Sequence, residues 1–558
     1  MKKIMDNRGI TIPLVLIVLV LASIFGFSSL FVMNTQTRFN IVDYASKKAL
    51  EYAEAGYNKY LWHLNDQPDF YIVDKAKSND DKSKIEGKDM PFQDGFYRLE
   101  ITKPEDTDRF VTIKSTGWTN NNPDIRRTIE AKVRKKQFVH HVYVSNSDGD
   151  SIWWTIGDES HGPYHTNGDL LIEKKPIFYD TVSYSGKCYR NNGYNWRGYI
   201  VKKELITDED KKNNTEYYYP DFKVKTPQQP QKVDKLEFPK TNEDLRKWAE
   251  KDNMVFYGRT CIHLEGENIK IRNGKDSAIT YSLSSIKNKV IYIDKAEGGG
   301  TGKFDLKSGN IFISGELKGV LTIAAANNIY ITYSDPTNWY DYDSNNMKDK
   351  NKKPNQPPEL YKWSNNNTYG YPEKGGIKYK NTTFTASYKP TGKDYWIREA
   401  NGKDMLGLVA NNDILILHYG WPKMPVSSDG GYPYWNFGWE WNPSEKKWEP
   451  SFRYYGIYDV APNNVTIHAA LFAVNGGFGY EFYNDDYSYY YTKKGDIILW
   501  GNITQKTRLA VGFIDTSGYN KKYSHDPRMF YDYPPHILEP VNVGWEIHDW
   551  KEIQVTEE

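Results

Sequence analysis

The sequence predicts a mainly β protein. It starts with a long N-terminal α-helix, half membrane span and half amphipathic. A small antiparallel sheet follows, and then a right-handed parallel β-helix broken by long loop excursions. Three observations carry this reading. A charge-free apolar stretch runs from Gly9 to Thr37 and passes straight into helix-forming sequence. Three short alternating segments come next, separated by Pro, Asp and Asn turns. Beyond them, Asn, Asp or Gly recurs just before runs of alternating Ile, Val and Leu, at spacings near those of solenoid coils.

Length and charge exclude several classes first. A chain of 558 residues holds several domains, or fewer if one is a solenoid. Lys and Arg number 73 against 72 Asp and Glu, so no polycationic surface exists to release counterions from nucleic acid, and no nucleic-acid partner is expected. Two cysteines, Cys188 and Cys261, rule out a disulfide-dense scaffold and a four-cysteine zinc module, and allow one bridge at most. Such a bridge would close the long loop between them, worth roughly 4 kcal/mol in the chain-entropy account. The 45 tyrosines fit the codon bias of an AT-rich genome, but the 17 tryptophans do not.

At the N-terminus, Lys2, Lys3 and Arg8 precede an apolar segment from Ile10 to Met33. As a helix it is about 36 Å long, enough to cross a hydrocarbon core of about 30 Å. It is also longer than the apolar region of a cleaved secretory signal. Positive charge before the span places the N-terminus in the cytoplasm and the bulk of the chain outside. Beyond the span, Ile41, Ala45, Ala49, Tyr52, Gly56, Tyr60 and Leu64 recur at three-to-four spacing, so a single helix is expected over 10–65, with its transmembrane half at 10–33.

The basic leader ending Arg8-Gly9, the apolar helix and the run ALEYAEAGYNKYLWHLN together resemble the class III leader and first helix of type IV pilin-like proteins, in particular the PilX-like minor pilins. The resemblance implies a leader at 1–9, cleavage between Gly9 and Ile10 by a prepilin peptidase, and methylation of Ile10. It also implies packing against other pilins through the helix after insertion in the cytoplasmic membrane. Major pilins usually carry Glu as the fifth mature residue, where this chain has Leu14, which favours a low-copy subunit. Phe96–Ile101, Phe110–Gly117 and Arg126–Val133 complete the pattern as strands of a small antiparallel region over 66–138.

From 139 to 516 the segments HTNGDLLIE, NKVIYID, GNIFISG, GVLTIAAANNIYIT, GLVANNDILIL, NNVTIHAALFAVNG and GDIILWGNI read as solenoid coils; a β-sandwich with long loops is the competing arrangement. NKVIYID, NIFISG and NNIYIT follow one another at steps of about 20 residues, a length that suits one coil each. His165 and Asn167 are expected to close a turn or a side-chain ladder. The tract His525 to Arg528 is expected to cap the solenoid within a C-terminal cap at 517–558. The segments 161–186 and 517–535 resemble an uncharacterised extracellular domain that follows such N-termini.

Two polar excursions, 333–404 and 419–460, interrupt the coils. The first contains Trp339, Trp363 and Trp396. The second contains Trp421, Trp435, Trp439, Trp441 and Trp448, with Tyr432 and Tyr434 beside them. Such rings either fill loop cores or form a platform that stacks on sugar faces. An architectural likeness to the tāpirin cellulose adhesins points to the platform, with insoluble polysaccharide as partner. Catalytic signatures and cofactor motifs are absent from the sequence, and no cofactor or metal is expected. Asn146 to Asp150 has oxygen side chains at alternate positions but lacks the calcium-loop pattern, and reads as a solvated turn. Asp341, Asp343, Asp485 and Asp486 are the carboxylates a glycoside-cleaving site would use. The expected function is therefore a minor pilin-like subunit of a type IV pilus, displaying a surface solenoid for adhesion. The alternatives are a surface-anchored carbohydrate-active enzyme and a pseudopilin of a type II secretion-like system.

Overall fold

The computed structural model describes residues 11–67, 70–72, 82–104, 110–149, 152–155, 158–173, 175–191, 203–206, 221–222, 230–339, 374–386, 397–418, 438–442, 447–451, 460–483, 493–513, 517–541 and 543–553. They form two units. Residues 1–136 and 544–558 make up the first, and 137–543 the second.

In the first unit, helix α1 (Thr11–Asp66) runs unbroken for 56 residues. It is long and apolar enough to cross a membrane. Positions 12–42 are exposed, whereas Ala45, Ala49, Tyr52, Ala53, Tyr60 and Leu64 are buried, the helical stripe expected from the sequence. That stripe lies on an antiparallel sheet of β1 (Asp89–Phe92), β2 (Gly95–Thr102), β3 (Val111–Thr119) and β4 (Asn122–Lys135). Glycines let the two layers approach. A Cβ at Gly117 would strike the Ala49 carbonyl oxygen and lie 2.5 Å from the Ala53 nitrogen. The Tyr60 hydroxyl donates to Glu86 at 2.6 Å, and the Tyr52 hydroxyl donates to Asp94. Burial and that bond push the Tyr52 pKa up to about 12.

A fifth strand, Trp545–Ile553, completes the sheet by pairing antiparallel with β4, Lys135 opposite Trp545. This corrects the C-terminal cap: the last residues of 517–558 belong to the first sheet, and the whole second unit is an insertion between two adjacent strands. Arg127 pairs with Glu552 across this ladder.

The second unit is built on three parallel ladders among the described residues. One has ten strands, in the order Val255–Tyr257, Val290–Asp294, Val320–Ala325, Met405–Ala410, the second half of Asn464–Ala473, the second half of Lys493–Thr507, Tyr143–Ser147, Tyr164–Thr166, Val182–Tyr184 and Gln231–Lys232. Another stacks Thr260–Gly266, Ile311–Leu317, Lys374–Tyr379, the first halves of Asn464–Ala473 and Lys493–Thr507, Ser517–His525, Glu159–His161, Ile177–Phe178 and Asp221–Phe222. The third takes Ile311–Ile313, Ile329–Ile331, Ile414–Ile416 and Phe478–Tyr480. Chain order passes from third to second to first ladder and round again, so each circuit is a coil whose apolar residues fill one continuous core.

The polar residues before each third-ladder strand have a definite task. Asn327 Nδ2 donates to Asn310 Oδ1 at 2.7 Å, and Asn412 Nδ2 donates to Asn327 Oδ1 at 2.6 Å. Beside them the backbone N–H groups of Asn328, Asp413 and Gly477 each donate to the side chain one coil away, on Asn310, Asn328 and Asp413. The side chains thus satisfy turn donors that burial would otherwise strand.

Coil order is not chain order. Residues 143–232 occupy the last coils of the stack. The chain then returns along it and restarts at Val255. Val233 N donates to Tyr184 O; Asn167 holds Leu236 through both its amide atoms; Asn475 donates to Lys240 O; Asn242 donates to Val409 O and Ala325 O. This strap passes the coils in reverse. Nine steps of about 4.8 Å need about 43 Å, and ten extended residues plus the nine-residue helix Glu243–Lys251 reach about 47 Å. The helix buries Leu245 and Ala249, and the hairpin strands Asn268–Asn273 and Ile279–Ser282 close the neighbouring edge of Thr260–Gly266.

Two further expectations are corrected. Ser517–His525 pairs with Lys493–Thr507 on one side and Glu159–His161 on the other, so the tract His525–Arg528 lies inside the stack and caps nothing. Its Asp526 instead fixes Arg528, whose Nη1 donates to the Gly402 and Asp404 carbonyls at 2.9 Å. Lys374–Tyr379 is a coil strand, which divides the excursion expected at 333–404.

Candidate functional site

Register places the excursions together. Ile331, Ile416 and Tyr480 are successive partners in the third ladder, and the chain leaves the coils after each of them. It re-enters the second ladder at Lys374, Asn464 and Lys493, again on stacked strands. The exits after Ile331, Ile416 and Tyr480 and the returns at Lys374, Asn464 and Lys493 are therefore stacked on three consecutive coils, about 4.8 Å apart. Exit and return points distant in sequence are gathered at one edge of the stack.

The roots of the excursions carry stacked rings and a buried ion pair. Phe304, Phe312 and Tyr330 stack with centroids 5.4 and 4.9 Å apart, and Trp339, 2% exposed, meets the Phe312 edge at 6.2 Å. The Trp339 indole donates to Ser334 Oγ at 3.3 Å. His418 stacks on Tyr480 at 4.6 Å, and its Nδ1 donates to the Glu481 carbonyl at 2.8 Å. Lys303 pairs with Glu481 at 2.6 Å, both side chains 10% exposed; burial lowers the lysine's pKa against the pull of that carboxylate. For Trp339, the loop-core reading of the excursion aromatics is the one observed.

The expected ligand-binding residues divide. Trp439, Trp441 and Trp448 fall on an antiparallel hairpin, Gly438–Asn442 with Lys447–Ser451, where Trp441 is the register partner of Trp448 and Trp439 lies two positions along. A period of two puts the three positions on one face of the ribbon. Trp421, Trp435, Tyr432 and Tyr434 lie outside the described residues, as do Gly9 and Ile10 and the carboxylates Asp341, Asp343, Asp485 and Asp486.

Cys188 and Cys261 are both buried thiols, Cys188 in the main solenoid core and Cys261 in the cluster with Phe312 and Trp339. The coils carry the two residues considered for a bridge into different clusters. Asp148 is no solvated turn either. Fully buried, it accepts from Ser145 Oγ, from the Tyr164 hydroxyl at 2.6 Å and from Arg508 Nη1 at 3.3 Å. His165 and Asn167 do belong to a side-chain ladder: Asn167 Nδ2 donates to Asn146 Oδ1 one coil away at 3.2 Å, His165 Nδ1 meets Ser183 Oγ on the other side at 2.9 Å, and the two side chains meet at 2.9 Å.

Sequence reasoning missed two groups. His468 and Trp500, register partners, stack at 4.8 Å, and the Tyr379 backbone N–H donates to His468 Nδ1. Burial, then the charges of Lys378 and Arg528, drive the His468 pKa down to about 3. His263, Glu265 and Asp335 bring three metal-ligating atoms together on the outer surface. The only sequence trace of that trio is the His-x-Glu pair on a strand, because Asp335 arrives from another coil.

No protein-family model matches the chain, and no curated protein matches it. Among solved structures, the competence-associated pilin ComZ from Thermus thermophilus is returned at 10% identity and a TM-score of 0.24, over 91% of this chain and 97% of that one.

Proposed function

We propose that the chain is a membrane-anchored, minor pilin-like subunit whose solenoid presents the excursion corner outside the cell for adhesion to polysaccharide. The supporting observation is the insertion topology. An apolar helix runs without interruption into the core helix of a small sheet, and the solenoid, residues 137–543, is inserted between two neighbouring strands of that sheet. Helix and sheet form an assembly module, and the inserted solenoid is its cargo. In this reading prepilin peptidase cuts between Gly9 and Ile10, other pilins pack on the exposed part of α1, and the tryptophan hairpin stacks on pyranose rings.

Two measurements test it. Co-expression with a prepilin peptidase should give a chain starting at Ile10, and Gly9→Ala should block that cut; a chain that keeps Met1 in both cases refutes the pilin part. In a pull-down of the full chain on insoluble polysaccharides, Trp439→Ala and Trp441→Ala should lose binding without a change in melting temperature. Loss of stability with no glycan retained would return these rings to a loop core, and release of soluble sugar would favour a carbohydrate-active enzyme.

A further inference from the structure

The outer surface of the terminal coil carries a cluster that display does not use. Along Thr260–Gly266, Ile262 and Leu264 point into the core, so His263 and Glu265 lie on the opposite face. Asp335 comes from the segment after Ile329–Ile331, at the start of the turn Pro336–Asn338. One ligand atom from each of the three lies within 4.8 Å of the others.

The tautomer of His263 is set by its neighbour. Ser314 Oγ donates to the Ser334 carbonyl at 2.7 Å, so in its 3.0 Å contact with His263 Nδ1 it must accept. With Nδ1 protonated, Nε2 carries the lone pair, the form in which imidazole binds metals and the outer bond orients it. Glu265 is exposed and forms no ion pair among the described residues. Lys270, the register partner of His263, lies with its Nζ 2.9 Å from Asp335 Oδ2 and 3.0 Å from Asn338 Oδ1.

We propose that His263, Glu265 and Asp335 bind a divalent transition metal of the zinc type, with Lys270 as a built-in competitor for Asp335. One imidazole and two carboxylates are a ligand set zinc accepts, and three protein ligands leave a fourth position open. Ligands about 2.0–2.2 Å from zinc stand roughly 3.4 Å apart, so the trio closes by little more than an ångström, within reach of the Glu265 torsions. When the ion takes Asp335, the Lys270 ammonium moves to solvent. The ion then ties the terminal coil to the root of the first excursion, just ahead of the buried Trp339.

The test uses the full chain in detergent, with Zn2+ titrated calorimetrically and Co2+ as the spectroscopic probe. The expected result is one saturable Zn2+ per chain and visible Co2+ ligand-field bands. Glu265→Gln should weaken binding at least tenfold, and Lys270→Met should tighten it at least threefold. Glu265 is exposed, so its variant reports on the site even where His263→Ala disturbs folding. The proposal is overturned by the absence of saturable Zn2+ binding in both the natural chain and Lys270→Met, or by binding that Glu265→Gln leaves unchanged.

Discussion

Asp148→Asn tests the seam where the two runs of coils meet. There Tyr143–Ser147 stacks on Lys493–Thr507, and Asp148 and Arg508, 0% and 2% exposed, face each other at 3.3 Å. The guanidinium also lies over Trp154 at 4.6 Å and Tyr143 at 5.6 Å. Removing one charge of a buried pair leaves the other uncompensated, which costs about 3–5 kcal/mol. Ser145 and Tyr164 both donate to the carboxylate. An amide accepts through one atom only, so a further penalty of about 1 kcal/mol follows. For a unit of about 400 residues at roughly 2.1 cal/mol/K each, a loss of about 4–6 kcal/mol lowers the midpoint by about 5–7 °C. Differential scanning calorimetry of the full chain reads this as a downshift of the solenoid transition. Arg508→Met should cost a similar amount. The double variant should fall short of the sum by about 2 kcal/mol, since with both changes no charge is stranded. An unmoved midpoint for Asp148→Asn, or additive singles, would refute the argument that this pair seals the seam.

Three other outcomes follow from the same structure. His468 has a folded pKa of about 3 against an ordinary 6.5, so the unfolded chain takes up the proton first. Its contribution is complete above pH 6.5 and is lost at about 1.4 kcal/mol per pH unit as the pH falls toward 3; His468→Asn should flatten the acid limb of the pH–stability curve by that slope, and an unchanged limb would contradict it. Gly117→Ala places a methyl group against the backbone of Ala49 and Ala53 and should destabilise the helix–sheet unit by about 1–3 kcal/mol, seen as a lower melting temperature for that unit alone. Finally, joining Lys136 to Gly544 leaves a two-residue connection between the paired Lys135 and Trp545, with glycine in its second position as a tight hairpin favours; the short chain should retain helical circular dichroism and a cooperative melt in detergent, and an unfolded or aggregated product would show that the first unit depends on the solenoid.

Local patterns were legible in the sequence, and long-range pairings were not. The helix and the strands β2 to β4 announce themselves through periods of 3.6 and 2, because each buries one face on a near neighbour. The step from NIFISG to NNIYIT is one true coil, Ile311 on Ile329. The similar step from NKVIYID to NIFISG is not a coil, because Val290 pairs with Thr322 on another ladder. Lys374–Tyr379 escaped notice because two glycines and a single isoleucine leave no apolar alternation. The seam could not be read at all, since Ile503 meets Tyr143 from the far end of the chain, and neither segment carries a local mark of its partner. The same holds for Asp148, whose buried role depends on Arg508, and for Asp335, which reaches His263 only through the winding of the chain.

The insertion of the solenoid between β4 and Trp545–Ile553 bears on resistance to proteolysis. Long polar excursions are where proteases cut first. In a domain tethered at one end, a single cut releases everything beyond it. Here the chain enters through β4 and leaves through a strand of the same sheet. After one cut anywhere in 137–543, the upstream piece remains covalently continuous with the helix. The downstream piece still carries Trp545–Ile553, held by the ladder to β4 and by the Arg127–Glu552 pair. The two pieces also share one stack, in which the early coils sit on the late ones at the seam and the return strap runs along both. A nicked molecule therefore keeps its cargo, and shedding requires two cuts on either side of the same segment.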